Sequence, residues 1–327
     1  MFKCRIKGCK AEFNRRDNLK RHYLSIHEMP VAEVEKLLPP VVPVIVARSV
    51  EESEEDAAEL LSKKGYSVSK PTQFQDRKYT GLIKPYQGRT YRIGVVADTQ
   101  LGSRFQQLTH LYTFYRLCQE RGITQVVHSG DLVDGQKMYK GHEFELFLHG
   151  ADAQVDYTIQ QYPKLEGMET LVIGGNHDDS HWKHAGMNVC KAIAKERPDI
   201  QYLGMYGAYF EIGGISVYLY HAGGGVAYAR SYRLQRFIEQ LSPQQKPHIL
   251  LMGHFHCQDF LPMYRNVVAI QLPCFQSQTP YLKQKGLYPE IGGLILEFTL
   301  DETVEPIGLA SFKPEFIPFY RPVDDDF

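Results

Sequence analysis

The 327-residue chain contains a single tryptophan and only six cysteines, and its charges of opposite sign cancel to a net −1. No apolar run approaches the ~18 residues that a membrane-spanning helix needs. The run VVPVIVA (41–47) is short and interrupted by a proline. The opening MFKCRIKGCK lacks the apolar stretch of a secretory leader. We therefore expect an intracellular protein, cytoplasmic or nuclear, with no membrane partner. Cys4 and Cys9 lie close together, whereas Cys118, Cys190, Cys257 and Cys274 are scattered. That distribution suits a reducing compartment and not a disulfide framework. The balanced charge excludes a uniformly basic surface, but the positive charge is concentrated. Residues 1–28 hold eight Lys/Arg against Glu12, Asp17 and Glu28, which leaves the remainder at −6. Attraction for nucleic acid is accordingly concentrated in the first 28 residues.

The chain is long enough for one large domain of roughly 200–250 residues plus a smaller one. A hydrophobic share of 43% and a charged share of 23% allow a substantial core. Three parts are expected: residues 1–28, a linker over 29–88, and a large domain over 89–320. The linker contains several prolines and an acidic stretch whose apolar Ala57, Ala58, Leu60 and Leu61 predict a short helix over 51–64. From Tyr91 onward, YRIGVVA, QVVHSG, ETLVIGG, ISVYLYH and HILLMGH read as strands. Helices are expected near 105–121, 148–162, 183–197 and 227–241. This alternation predicts an α/β domain. After residue 254 the helices are expected to stop while strands such as NVVAIQL and GGLILEF continue. The tail RPVDDDF is expected to fray.

Each of the five strands ends on potential metal ligands. Asp98 and Gln100 follow the first, and Asp131 and Asp134 follow the second in GDLVD. GGNHDD places Asn176, His177 and Asp178 after the third, His221 closes the fourth, and GHFH places His254 and His256 after the fifth. In α/β sheets, residues distant in sequence meet at the carboxyl ends of strands. Mixed imidazoles and carboxylates suit Mn, Fe, Zn or Ni better than Mg alone. Any one of these residues taken singly reads as an ordinary loop or core residue, and the ordered set of five is what points to a metal centre.

The motifs GDLVD, GNHD and GHFH, in this order and with a lone His between the last two, resemble those of the calcineurin-like metallophosphoesterases over about 91–299. The resemblance implies two packed β-sheets flanked by helices, with a dinuclear metal centre at one edge. It implies one metal on Asp98, Asp131 and His256, and a second on Asp131, Asn176, His221 and His254. His177 would stand beside the substrate phosphate, and Asp134 would orient its neighbours. The pair of ions would acidify a water and clamp the phosphate oxygens, while His177 would protonate the leaving oxygen. Gln100 departs from the pattern, which has an imidazole there. Its neutral amide oxygen predicts a weaker first site that leans toward Mn²⁺ or Mg²⁺ over Zn²⁺.

Nearby features admit a functional and a bland reading. The AGGG run after His221 (222–225) could approach a phosphate or form a simple turn. Arg230, Arg233 and Arg236 could track a nucleic-acid backbone or form a solvated helix face. His142, His149, His181 and His184 are expected in loops beside the motifs, and His128 in the core.

In the first segment, Cys4-x4-Cys9-x12-His22-x4-His27 has the spacing of a C2H2 zinc finger, with Phe13 and Leu19 at its two core positions. A structural Zn²⁺ would supply its folding energy. The segment resembles nucleic-acid-binding fingers, which places the base-reading positions on Arg15, Asn18 and Arg21 and favours a GAG triplet, with Asp17 bracing Arg15. Fingers of this kind also bind RNA or protein.

Three functions follow. The first is a metal-dependent nuclease or phosphodiesterase directed to nucleic acid, DNA above all, by the finger. ADTQLGS resembles the turn of a nuclease branch, while the acidic remainder argues against a long duplex channel. The second is a phosphatase or nucleotide phosphodiesterase. The third is a nucleic-acid-binding protein whose esterase centre has decayed, as Gln100 would suggest. Substrate, cleavage polarity and oligomeric state are not encoded in any motif.

Overall fold

The computed structural model describes residues 2–13, 16–30, 33–34, 37–38, 77–303 and 308–327. The chain divides into two compact units, Met1–Lys70 and Pro71–Phe327.

In the first unit, β1 (Phe2–Lys3) pairs antiparallel with β2 (Glu12–Phe13), and α1 (Arg16–Ser25) follows. Leu19 and Tyr23, four residues apart on one helix face, are fully buried, and Phe13 packs against them. The core extends past residue 28. Val34 and Leu38 are buried in the same cluster, and their N–H groups donate to the carbonyls of Pro30 and Val34 at helical spacing. The helix expected over 51–64 lies outside the described residues.

The second unit is built on two six-stranded sheets. One has the order β14 (Gly308–Pro318), β13 (Gly292–Asp301), β4 (Thr90–Val96), β5 (Gln125–Ser129), β6 (Glu169–Gly174), β7 (Ile200–Met205). Strands β4 to β7 run parallel, and β13 and β14 are antiparallel additions. The other has the order β11 (Asp259–Tyr264), β12 (Val267–Gln271), β10 (Ile249–Gly253), β9 (Ile215–His221), β8 (Gly207–Ile212), β3 (Arg77–Thr80). In it β9, β10 and β12 are parallel. Residues 77–80, within the span expected as linker, are thus an edge strand paired with β8.

Side-chain alternation makes the layers. Ile93, Val95 and Ala97 face the space between the sheets, where they join Val127, Leu171 and Ile173 against Val217, Leu219, Ile249 and Leu251. Val96, Val126 and Val172 point the opposite way, onto α2 (Leu108–Glu120) with its buried Leu111, Phe114 and Cys118. Also on that side lie α3 (Ala151–Gln161), α4 (Asn176–Ala185) and α5 (Val189–Glu196). On the far face of the second sheet, Leu250 and Met252 meet Leu234 and Ile238 of α6 (Tyr232–Gln240). Buried on both faces, the central strands are nearly continuous apolar runs.

The structure corrects three expectations. The single helix expected over 183–197 is two helices. Gly186 (φ 68°) closes α4 in the left-handed conformation, and the Asn188 side chain accepts from the Lys191 N–H to open α5. A short helix, α7 (Pro280–Gln284), follows residue 254, with Thr279 accepting from the Leu282 N–H at its start. The tail is docked: Asp326 caps α2 by accepting from the Thr109 N–H at 2.7 Å, and Phe327 stacks on Phe147.

Candidate metal centre

All the expected ligands of the large domain sit at or just beyond the carboxyl ends of β4, β5, β6, β9 and β10, where both sheets end side by side. Their backbones turn sharply there. Asp98, Gln100, Asp131, His254 and His256 all have positive φ, between 51° and 93°. Non-glycine residues in that region cost of order 1–3 kcal/mol each, so the surroundings must enforce the conformation. Backbone bonds between the turns do so: Asp98 N–H donates to Gly130 O at 2.9 Å and Gln100 N–H to Asp131 O at 3.1 Å. Two motif glycines let the turns converge. A Cβ on Gly175 would strike the Asp131 carboxylate and come within 2.8 Å of the His221 ring; one on Gly253 would lie 2.5 Å from Ser129 O.

The ligand-capable atoms of Asp131, His221 and His254 lie within 4.8 Å of one another. His221 Nδ1 donates to Ser129 O at 2.7 Å, which leaves Nε2 facing Asn176 Oδ1 at 2.9 Å and Asp131 Oδ2 at 3.3 Å. For a neutral imidazole these are three lone-pair atoms turned toward one point, which needs a proton or a cation at its centre. His254 Nε2 donates to Gly224 O at 2.8 Å, and its backbone N–H donates to the Asp98 carboxylate. His256 Nε2 lies 3.3 Å from Asp98 Oδ1. Gln100 Nε2 donates to Asp131 Oδ2 at 3.1 Å, while Gln100 Oε1 is buried without a hydrogen-bond partner. An orphaned amide oxygen on a side chain bonded to the Asp131 carboxylate is a further position that a cation would satisfy.

The electrostatics agree. Burial opposes ionisation of Asp131, yet His221 and His177 outweigh it and hold the carboxyl well below the usual range. Burial likewise opposes a charge on His221, but Asp131 raises it to about 9. Asp131 thus makes the surroundings of His221 and His177 favourable to positive charge, as a cation site requires. His254, which burial and His221 push down to about 4, stays neutral and able to ligate. The residues therefore fit a pair of divalent ions.

His177 lies in the first turn of α4. Its N–H donates to Asp131 Oδ1 at 2.8 Å, and its Nδ1 donates to Asp134 O at 2.5 Å. Nε2 is left toward the cleft, 4.0 Å from Asp131 Oδ2. Burial disfavours the imidazolium, but Asp131 and Asp134 raise His177 to about 9. Asp134 is fully enclosed, with His177 Nδ1 and His142 Nε2 each 3.4 Å from its carboxylate.

Two residues hold the turns in place: Asp178, expected among the potential ligands but bonded to backbone instead, and Ser129, which the sequence did not single out. Buried Asp178 accepts from the N–H groups of Leu132, Val133 and Gly175, tying the GDLVD turn to the GNHD turn. Ser129 Oγ donates to Tyr220 O and accepts from Gly253 N–H, joining the two sheets at the site. The general preference of Ser for bonding nearby backbone was the only signal available for Ser129.

Beyond the ligands, an open cleft of about 520 Å³ is lined by Asp131, Asn176, His177, His254 and His256 together with residues 224–228 and 286–289. Arg230 reaches this cleft but pairs with Glu290 at 2.6 Å. Arg233 bonds Gly225 O and Arg236 pairs with Glu239. The loop placement of the extra histidines needs correcting. His181 and His184 belong to α4, His181 being buried against Gln154, and His142 lies in a 3₁₀ turn (His142–Phe144). His149 is exposed, and His128 is fully buried in β5.

In the first unit Cys4, Cys9, His22 and His27 converge. Cys4 Sγ is 3.4 Å from His27 Nε2, Cys9 Sγ is 3.3 Å from His22 Nε2, and the two Nε2 atoms are 3.1 Å apart. Tetrahedral zinc with ordinary Zn–S and Zn–N bonds sets ligand separations of roughly 3.3–3.8 Å; both S–N separations fall in that range and the N–N separation lies about 0.2 Å below it. Burial, then His27, lower the pKa of His22, which favours the neutral ligating form. Asn18 and Arg21 are exposed on α1, and Arg15 lies outside the described residues.

Comparison with known proteins gives the same division. Residues 1–41 match the model for the C2H2-type zinc finger of zinc finger protein 292. The DNA polymerase II small subunit of Methanothermobacter thermautotrophicus is 23% identical over 203 residues, 52% of this chain and 42% of that protein. This chain therefore spans under half the length of that relative. Among solved structures, Vps29 of Chaetomium thermophilum is 13% identical with a TM-score of 0.37, over 72% of this chain and 100% of that one. Yfce, a phosphoesterase from E. coli, is 10% identical with a TM-score of 0.34, over 68% and 98%. Residues 91–270, more than half of the chain, match the calcineurin-like phosphoesterase model and enclose all the strand-end ligands described above. The chain belongs to the calcineurin-like phosphoesterases.

Proposed function

We propose that this protein is a metal-dependent hydrolase of phosphodiester bonds in nucleic acid, directed to its substrate by its zinc finger. The observation that carries this reading is the convergence of Asn176 Oδ1, His221 Nε2 and Asp131 Oδ2 on one point at the floor of an open cleft. Asp98, Asp131 and His256, with Gln100 Oε1 beside them, would hold one ion; Asp131, Asn176, His221 and His254 would hold the other. Bound there, two divalent ions supply Lewis acidity toward the phosphate oxygens and an acidified water. The amide oxygen of Gln100 makes Mn²⁺ the favoured metal.

The chain's own residues do the rest. His177 is fixed through Nδ1, so Nε2 is the atom that carries a proton to the departing oxygen. Asp134 orients that ring and stabilises its charged form. In the finger, Zn²⁺ on Cys4, Cys9, His22 and His27 would hold α1, from which Asn18 and Arg21 extend toward DNA. Arg15 would complete the reading triplet. The relative named as a DNA polymerase subunit supports a nucleic-acid setting.

A second reading has one observation in its favour. Position 100 carries a neutral amide where the resembled pattern has an imidazole, which suits a centre that holds one ion or none. Hydrolysis of bis-p-nitrophenyl phosphate, p-nitrophenyl phosphate and single- and double-stranded DNA by the Mn²⁺-loaded chain, with Asp131→Asn as control, separates the readings. Diester cleavage that includes polymer is expected. Monoester cleavage alone would indicate a phosphatase, and silence with metal bound would indicate a decayed centre.

A further inference from the structure

One wall of the cleft departs in composition from the rest of its unit. It is built from KMYK (137–140) and YLKQKGLY (281–288), whose Met138, Tyr139, Tyr281, Leu282, Leu287 and Tyr288 line the cavity. The two segments are locked together. Tyr139 and Tyr281 stack with centroids 3.9 Å apart and planes 13° from parallel. The Glu145 carboxylate accepts from Tyr139 OH at 2.5 Å and from Tyr281 N–H at 2.8 Å. These contacts hold the two segments against each other as one wall.

It displays aromatic rings and lysines. Tyr288 is 71% exposed, and Tyr228, from the loop after β9, lines the same cavity fully exposed. Lys137, Lys140, Lys283 and Lys285 flank the lining residues, all exposed, and none forms an ion pair among the described residues. Lys285 lies 5.6 Å above the Tyr281 ring. Four uncompensated lysines gathered here stand out because residues 29–327 are negative by six.

We propose that this wall binds unpaired nucleotides flanking the phosphate held at the metal centre, with bases stacked on Tyr288 and Tyr228 and backbone phosphates tracked by the four lysines. The inference rests on the nucleic-acid reading above and narrows it to single-stranded substrate. Aromatic faces interleaved with cations match a single strand, whose bases expose their π faces. A duplex hides those faces and asks for a broad basic surface that an acidic unit lacks. A mononucleotide or phosphomonoester would use one ring and leave the lysines idle.

The test uses the full Mn²⁺-loaded chain and reads kcat/KM on a single-stranded 12-mer relative to bis-p-nitrophenyl phosphate, so that the finger is constant throughout. Tyr288→Ser should lower this ratio about ten-fold and the Tyr288→Ser/Tyr228→Ser pair about a hundred-fold, while Tyr288→Phe, which keeps the ring, stays within about two-fold. The 12-mer should be cleaved at least about ten-fold faster than the same sequence in a hairpin duplex. Equal losses on polymer and small diester, no change in the ratio, or equal cleavage of duplex would overturn the proposal. If nothing is hydrolysed, the reading of the metal centre fails, and anisotropy of the labelled 12-mer still decides the wall. Binding that Tyr288→Ser leaves intact rejects it, and binding that weakens about ten-fold supports it.

Discussion

The two units solve the same problem, gathering side chains able to hold a metal, at opposite ranges of the chain. In the finger the four ligands fall within residues 4–27, and their geometry is set by one hairpin and one helix. In the phosphoesterase unit the ligands span residues 98–256 and meet only because two six-stranded sheets end side by side. The first site carries its fold; the second is carried by its fold. Four buried side chains in the finger core cannot offset the ordering of the surrounding backbone without the metal. Across the other unit three extensive clusters hold the turns whether or not cations are bound.

The sharpest break between the two should come from metal removal. A strong chelator should unfold the finger, whose zinc supplies on the order of 10 kcal/mol, and leave the phosphoesterase unit folded. Amide spectra of the full chain should lose dispersion for the first unit alone, Val34 and Leu38 included; loss across both units would erase the contrast. Next in size, His177→Asn should lower kcat for diester hydrolysis about 10²–10⁴-fold while metal stoichiometry stays the same. A change in the metal count instead would make His177 a structural residue.

Legibility from the sequence followed the same divide. The finger was readable from spacing alone, because its geometry is local. The five central strands were readable because each is buried on both faces and ends on a ligand. The strands not singled out include β3, β7, β11 and β14, and these are the four edges of the two sheets. Edges face water on one side and tolerate proline. RKYT is largely exposed, DFLPMY contains Pro262, and GLASFKPEFIP contains Pro314 and Pro318. The β8 strand, GAYFEI, is internal but diluted by Gly207 and Glu211. The docked tail was illegible for another reason: Asp326 caps a helix more than two hundred residues away, a partnership no local pattern encodes.

A smaller effect sharpens the comparison at the departure from the family pattern. Gln100→His should tighten the weaker of the two Mn²⁺ sites roughly ten-fold, by calorimetric titration, through exchange of an amide for imidazole. No change in affinity would place Gln100 outside the coordination sphere. Smallest of all, Asp326→Ala should cost the phosphoesterase unit about 1 kcal/mol, a few degrees in its melting transition, by removing the cap of α2. Zinc affinity of the finger should stay constant; a linked change would mean the units are energetically coupled.

The claim on which the rest depends is that Asp131 is shared by two ions. Counting Mn²⁺ bound to the zinc-loaded chain, wild type against Asp131→Asn, by titration followed through the paramagnetic signal, tests it most directly. The account predicts two Mn²⁺ per chain in the wild type and weakening of both together in the variant. One ion that is lost while another binds with full affinity would contradict it.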